Sequence, residues 1–208
     1  STGDVLYMST AHSPTKSRTL LVLPLDTPAF LPGAVARLGV SDPATSRALK
    51  SQTASAGPGA ASQEPPRVVL LARRDLEGAS SGPTAGAQFC DVGVWGHVEQ
   101  LRLDPSGEGQ VVVRVVGRAR VALLPEDGGP TRGRVEEMPE VVTGSAREQA
   151  LVRVVVAQFR ELVSLSPAVG PEVAELAAGL EPEPSRLVDF VVSGLTLQPE
   201  DRQQFLAE

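Results

Sequence analysis

The chain has a single cysteine, Cys90, among 208 residues, which excludes an internal disulfide and fits a reducing compartment. It also lacks any apolar run near the roughly 20 residues that a membrane helix needs. The N-terminal STGDVLYMSTAHSPTKSRT is polar and Ser-rich, without the cationic and then apolar order of a signal peptide. A cytoplasmic location with no membrane contact is expected. Lysine is scarce: only Lys16 and Lys50 stand among the 19 basic residues, the rest being arginine. Beside so much Ala, Gly, Val and Pro, that imbalance reads as a GC-rich coding bias, not as selection for phosphate contacts. Net charge is −6 and unevenly spread. From Gly144 onward 5 basic residues meet 10 acidic ones, which leaves 14 against 15 from the totals of 19 and 25. Neither part has the basic excess that nucleic-acid phosphates would require, so nucleic acid is disfavoured as a partner.

Groups that carry chemistry are few. His12, His97 and Cys90 are the only soft metal ligands, and they have no zinc spacing. There is no G-x-x-x-x-G-K-[ST] run, so nucleotide cannot be held in the P-loop manner. The paired acids Glu126-Asp127 and Glu136-Glu137 fall in turn or edge positions facing solvent, not in a general acid/base pair. No catalytic, cofactor-binding or metal residue is assigned.

What is present divides into two periodicities. From Leu20 to about Val142, short Val- and Leu-rich runs are bounded by Gly, Pro or Asp: 20–25, 34–40, 67–74, 91–103, 110–116, 118–124 and 133–138. Such runs predict a mostly β domain over 20–143, after a flexible leader at 1–19. LDPSGEGQ (103–110) reads as a hairpin turn. DPATSRALKS (42–51) reads as a short helix with Asp42 as N-cap and Pro43 at the first helical position. The Ala/Gly/Ser/Pro-rich 52–66 reads as a flexible insertion, and 78–88 as a second loop of that kind.

Residues 111–121, VVVRVVGRARV, could be a basic ribbon or a half-buried strand. Alternation puts Val111, Val113 and Val115 on one face, opposite Val112, Arg114 and Val116. Gly117 is expected at a bend or bulge, with Arg118 and Arg120 then opposite Ala119 and Val121. All three arginines are expected to face solvent.

After Thr143 the period becomes 3.6. In SAREQALVRVVVAQFRELVSLSP the predicted buried stripe is Leu151, Val154, Val155, Phe159, Leu162 and Val163. PEVAELAAG (171–179), PSRLVDFVVSG (184–194) and QPEDRQQFLAE (198–208) read as further helices, each opened by proline near its first turn. The last reaches Glu208 without a stop signal, so continuation is expected. The fold class is therefore α+β, a twisted barrel-like sheet followed by a helical subdomain over 144–208.

The order and spacing of several motifs resemble the N-terminal region of Lon-family ATP-dependent proteases. LPLDTPAFLPGAVARLGV (23–40) is similar to that family's opening strand, Pro-Gly turn and second strand. DVGVWGHVEQL (91–101) resembles its central strand, VVVRVVGRARV the turn before the next one, and RGRVEEMPE (132–140) the closing strand. PSRLVDFVVSGLTLQPEDRQQFL resembles the helical segment leading to the ATPase module. The likeness runs from about Leu20 to Glu208. It implies a PUA-like β domain and a substrate-recognition and assembly role. The partners it implies are unfolded or degron-bearing proteins, with self-association to a hexamer in the full-length enzyme. ATP and Mg, the P-loop and the Ser-Lys dyad would belong to parts of the parent outside this chain. SGPTAG (81–86) superficially resembles the family's nucleophile segment, but with Thr84 in the serine position and no lysine following. The alternatives are a stand-alone Lon-domain binding protein and a PUA-like RNA-binding module.

A module that captures unfolded chains needs exposed apolar surface on a rigid scaffold. Phe30 and Leu31, in a turn stiffened by Pro28 and Pro32, are the first candidate contacts, and Trp95 is the next. For each the competing role is core packing.

Overall fold

The computed structural model describes residues 17–26, 29–55, 65–74, 89–125, 128–167 and 169–208. Six strands and five helices follow as β1 (Arg18–Leu25), β2 (Val35–Val40), α1 (Pro43–Ser55), β3 (Arg67–Ala72), β4 (Val92–Leu103), β5 (Gly109–Leu123), β6 (Arg132–Glu137), α2 (Ala146–Leu165), α3 (Glu172–Gly179), α4 (Pro184–Gly194) and α5 (Pro199–Ala207). The chain is thus α+β, with the strand-rich part first. Residues 1–16 of the expected leader and the loop at 78–88 lie outside the described residues.

β5 pairs with β4, β4 with β3, β3 with β1, β1 with β6, and β6 again with β5, so five strands close a circuit. β1 and β3 run parallel, and the other pairings are antiparallel. β2 stands outside the circuit, paired to β5 alone. The alternation of side chains divides the sheet's apolar residues into two clusters. One joins Val22, Val69, Leu71, Ala119, Val121 and Val135, all from circuit strands. The larger cluster lies on the other face. It adds Ala36 and Val40 of β2, Leu49 of α1, Leu31 of the connecting turn and Leu206 of α5.

β5 serves both clusters because its register slips. Trp95 pairs with Gly117 while Gly96 pairs with Val115, so Val116 is an extra residue. A bulge of this kind switches which side chains face which way. Val111, Val113 and Val115 therefore enter the larger cluster, and Ala119 and Val121 the smaller one. The irregularity expected at Gly117 is thus present, with the extra residue immediately before it.

Local signals position the rest. Asp42 Oδ2 accepts the Thr45 N–H at 2.7 Å, capping α1. α1 runs to Ser55, beyond its expected end at 51, because no glycine or proline interrupts it before Gly57. The expected insertion at 52–66 is shortened accordingly, and its residues 56–64 lie outside the described set. In the β4–β5 hairpin, Asp104 Oδ1 accepts from Ser106 Oγ and the Glu108 N–H, and Gly107 takes a φ of 93°. Ser145 Oγ accepts the Glu148 N–H, and Glu148 Oε2 accepts in return from the Gly144 N–H, a reciprocal cap on α2.

The buried face of α2 differs from the expected one. Val152, Val156, Phe159 and Val163 are buried, against Ala174 and Ala177 of α3 and Leu187 of α4. Leu151, Val154 and Leu162 are instead 56%, 50% and 47% exposed. The run LVRVVVAQFRELV is apolar on two adjoining faces, so periodicity alone leaves the helix's rotation open. Contact with α3 and α4 decides it. α5 docks on the sheet: Leu206 is buried in the larger cluster, and Gln203 Nε2 donates to the Val92 carbonyl at 2.8 Å.

Candidate functional site

The turn after β1 carries the first candidates. Leu31 is buried in the larger cluster, and Phe30 is half-buried against it. Gly33 has a φ of 86° and donates its N–H to Val115 O at 3.1 Å, which fixes the turn to β5. Leu31 therefore anchors the turn, and Phe30 keeps the accessible part.

Trp95 sits against the opposite face, packed on the smaller cluster and half-buried. A side chain at Gly117 would place its Cβ 3.1 Å from the indole Nε1, so glycine there makes room for the ring. The Arg67 guanidinium lies 4.9 Å from the ring centroid, and His97 meets the ring edge-on at 5.6 Å. Arg67 also pairs with Glu137 at 3.1 Å, and His97 Nδ1 lies 3.1 Å from Pro65 O. Glu137 thus meets a cation while its side chain stays 42% exposed, and Glu136 is exposed, as expected of the pair. The three sequence candidates do not form one site. Phe30 and Leu31 belong to one sheet face, Trp95 to the other.

The β5 arginines separate. Arg114 is exposed and bonds Glu99. Arg120 is exposed beside Arg134 and Phe89, in a groove of about 600 Å³. Arg118 corrects the sequence expectation: its side chain is only 16% exposed and is engaged twice by Asp189 of α4, at 2.6 and 3.2 Å. Phe205 of α5 lies 5.5 Å from the guanidinium. The bulge at Val116 is the cause, since it sets Arg118 opposite Val94 on the helix-covered face. Burial pushes the Asp189 carboxyl above its ordinary pKa, with the Arg118 hydrogen bonds and charge pulling the other way. A lone acid inside the apolar run LVDFVV was the available sequence signal for this pair.

Burial also pushes the Cys90 thiol up, which opposes thiolate chemistry. Thr84, His12, Lys16 and the Glu126-Asp127 pair lie outside the described residues. Sequence reasoning missed two surface features. One is the bare line Leu151, Val154, Leu162 and Leu165 on α2, the last 74% exposed. The other is the free side of β2. Among the described residues, no helix is long and apolar enough to cross a membrane.

Comparison with known structures gives the class of fold first. It is that of the N terminal domain of Mycobacterium avium complex Lon protease, with a TM-score of 0.64 over 92% of this chain and 90% of that one, at 20% identity. Residues 19–208 match the family model described as the ATP-dependent protease La (LON) substrate-binding domain, and the chain belongs to that family. Lon protease 1 of Myxococcus xanthus is 32% identical over 188 residues, covering 90% of this chain and 22% of the relative. The Lon protease of Desulforamulus reducens is 32% identical over 140 residues, 67% of this chain and 17% of its own. The chain therefore spans about a fifth of the length of these relatives.

Proposed function

We propose that this chain is the substrate-recognition and assembly region of a Lon-type ATP-dependent serine protease. It captures unfolded or degron-bearing polypeptide for delivery to ATPase and protease modules carried elsewhere in the parent. On this reading ATP and Mg bind outside the chain, the parent assembles as a hexamer in the cytoplasm, and the chain itself performs no catalysis. The observation that carries the proposal is the family match across residues 19–208.

The geometry supports it. Leu151, Val154, Leu162 and Leu165 of α2 and Leu176 of α3 leave apolar surface in water on a packed scaffold, as capture of unfolded chains requires. The closed strand circuit supports reading residues 20–143 as a PUA-like barrel, with 144–208 as a helical subdomain. Glu99 and Asp189 already engage Arg114 and Arg118, which weighs against an RNA surface on β5.

Immobilised chain should retain a reduced, carboxymethylated and permanently unfolded model protein while passing the same protein in its folded form. Equal retention of the two forms, or of neither, contradicts the proposal.

A further inference from the structure

We propose that the outer edge of β2 receives an extended polypeptide, which joins the sheet as an added strand beside Val35–Val40 and places an acidic side chain near Arg37. This rests on the reading above and supplies a mode of recognition for it.

Every strand of the circuit has at least two strand neighbours, and among the described residues β2 has only β5. The Val115 N–H donates to Ala34 O at 2.9 Å, and the register continues as Val35↔Arg114 and Ala36↔Val113. In an antiparallel pair alternate residues turn both backbone groups to the partner. Ala36, Leu38 and Val40 therefore face β5, and Val35, Arg37 and Gly39 direct their N–H and C=O outward. Among the described residues no backbone hydrogen bond meets these six outward groups.

An exposed edge is a template for another chain, and proteins ordinarily blunt it with proline, a bulge or a charged side chain. The single charge here, Arg37, repels cationic segments and leaves the edge open to a segment that brings a carboxylate. VARLGV contains neither proline nor lysine, and its six residues stay in register with β5. Its other side chains hold it in place: Ala36 and Val40 are buried, and Leu38 packs on the same cluster. The strand is thus ordered before anything binds, and the ordering cost falls on the incoming chain alone. Toward solvent it shows Val35, 52% exposed, the exposed Arg37, and open space at Gly39, where a Cβ would meet nothing within 4 Å.

Charge selects the occupant. Arg37 enters no ion pair among the described residues, whereas neighbouring Arg114 is neutralised by Glu99. A second copy pairing its own β2 antiparallel about a central dyad would set Arg37 against Arg37, and like charges directly opposite destabilise a strand pair. A segment with a carboxylate at that position has no such conflict. Because the edge reads backbone groups that a folded protein has already paired, it distinguishes unfolded from folded chains, and Arg37 adds the preference for an acidic segment.

The test is amide hydrogen exchange on the whole chain, alone and with the unfolded model protein or a capped hexapeptide of alternating valine and glutamate. Val35, Arg37 and Gly39 amides should exchange freely in the absence of ligand and at least about tenfold more slowly with either one, while Ala36, Leu38 and Val40 stay slow throughout. The same hexapeptide N-methylated at alternate amides should give no protection. Arg37→Glu should weaken the valine–glutamate peptide by about tenfold or more and spare a valine–lysine one. Retention of the unfolded protein without protection at the three amides overturns strand addition and leaves the recognition role standing. Failure to retain that protein overturns both. Protection that grows with the chain's own concentration, without ligand, assigns the edge to a second copy instead.

Discussion

Arg118 reaches Asp189 because Val116 is one residue too many for the β4–β5 ladder, and the pair then joins the sheet to α4 across a buried contact. A buried ion pair adds little over an apolar pair of the same shape, but removing one partner strands the other charge. Asp189→Asn should therefore cost about 3–5 kcal/mol in urea unfolding, since Asp189 is the acid that pairs with Arg118 among the described residues. The double change Arg118→Met with Asp189→Leu should recover most of that loss. A double variant as unstable as Asp189→Asn would show that the loss comes from the pair itself and not from a stranded Arg118 charge. The candidate residues divide by the same logic of partners: Leu31 is committed to the core, while Phe30 and Trp95 each keep an accessible part.

At the scale of elements, α2 shows what a helix's sequence leaves open. Its reciprocal Ser145–Glu148 cap follows from local chemistry, an acceptor and a carboxylate three residues apart. Its rotation depends on α3 and α4. Val156→Ala, on the line that packs against them, should cost about 1–3 kcal/mol. Leu162→Ser, on the bare line, should stay within about 0.5 kcal/mol of the parent in the same denaturant titration. Comparable losses at the two positions would mean that the expected stripe through Leu162 is the packed one. β5 teaches the same point for strands. Its alternation was readable up to Val115, and beyond the bulge the identity of each face was a matter of what covered it.

Across the whole molecule the carboxylates oppose one another in their response to pH. The Thr45 hydrogen bonds hold Asp42 below its ordinary value, as Ser106 does for Asp104 and Thr143 for Glu148. A lowered folded-state pKa gives stability that is present above the unfolded value and is lost as the pH falls through the folded one. Asp189 is raised, so its contribution is present below the unfolded value and fades as the pH climbs through the folded one. Among the described residues, three lowered carboxylates against one raised predict an unfolding midpoint that drops below about pH 4. Asp42→Asn keeps an N-cap oxygen but removes the titration, so the acid-side fall of the thermal midpoint should become shallower. An unchanged slope would remove Asp42 from the account.

The order of strands and then helices, the Asp42 cap, the Asp104 hairpin and the irregularity near Gly117 were all determined by the sequence itself. Each depends on residues within a turn or two of one another, where propensity and capping act. Tertiary structure alone decided the return of β6 to β5, the buried face of α2, the aim of Arg118 and the open edge of β2. Those features depend on pairings between distant segments, such as Arg118 with Asp189 across 71 positions. Their free energy exists only once both partners have been brought together, so no local pattern along the chain records it.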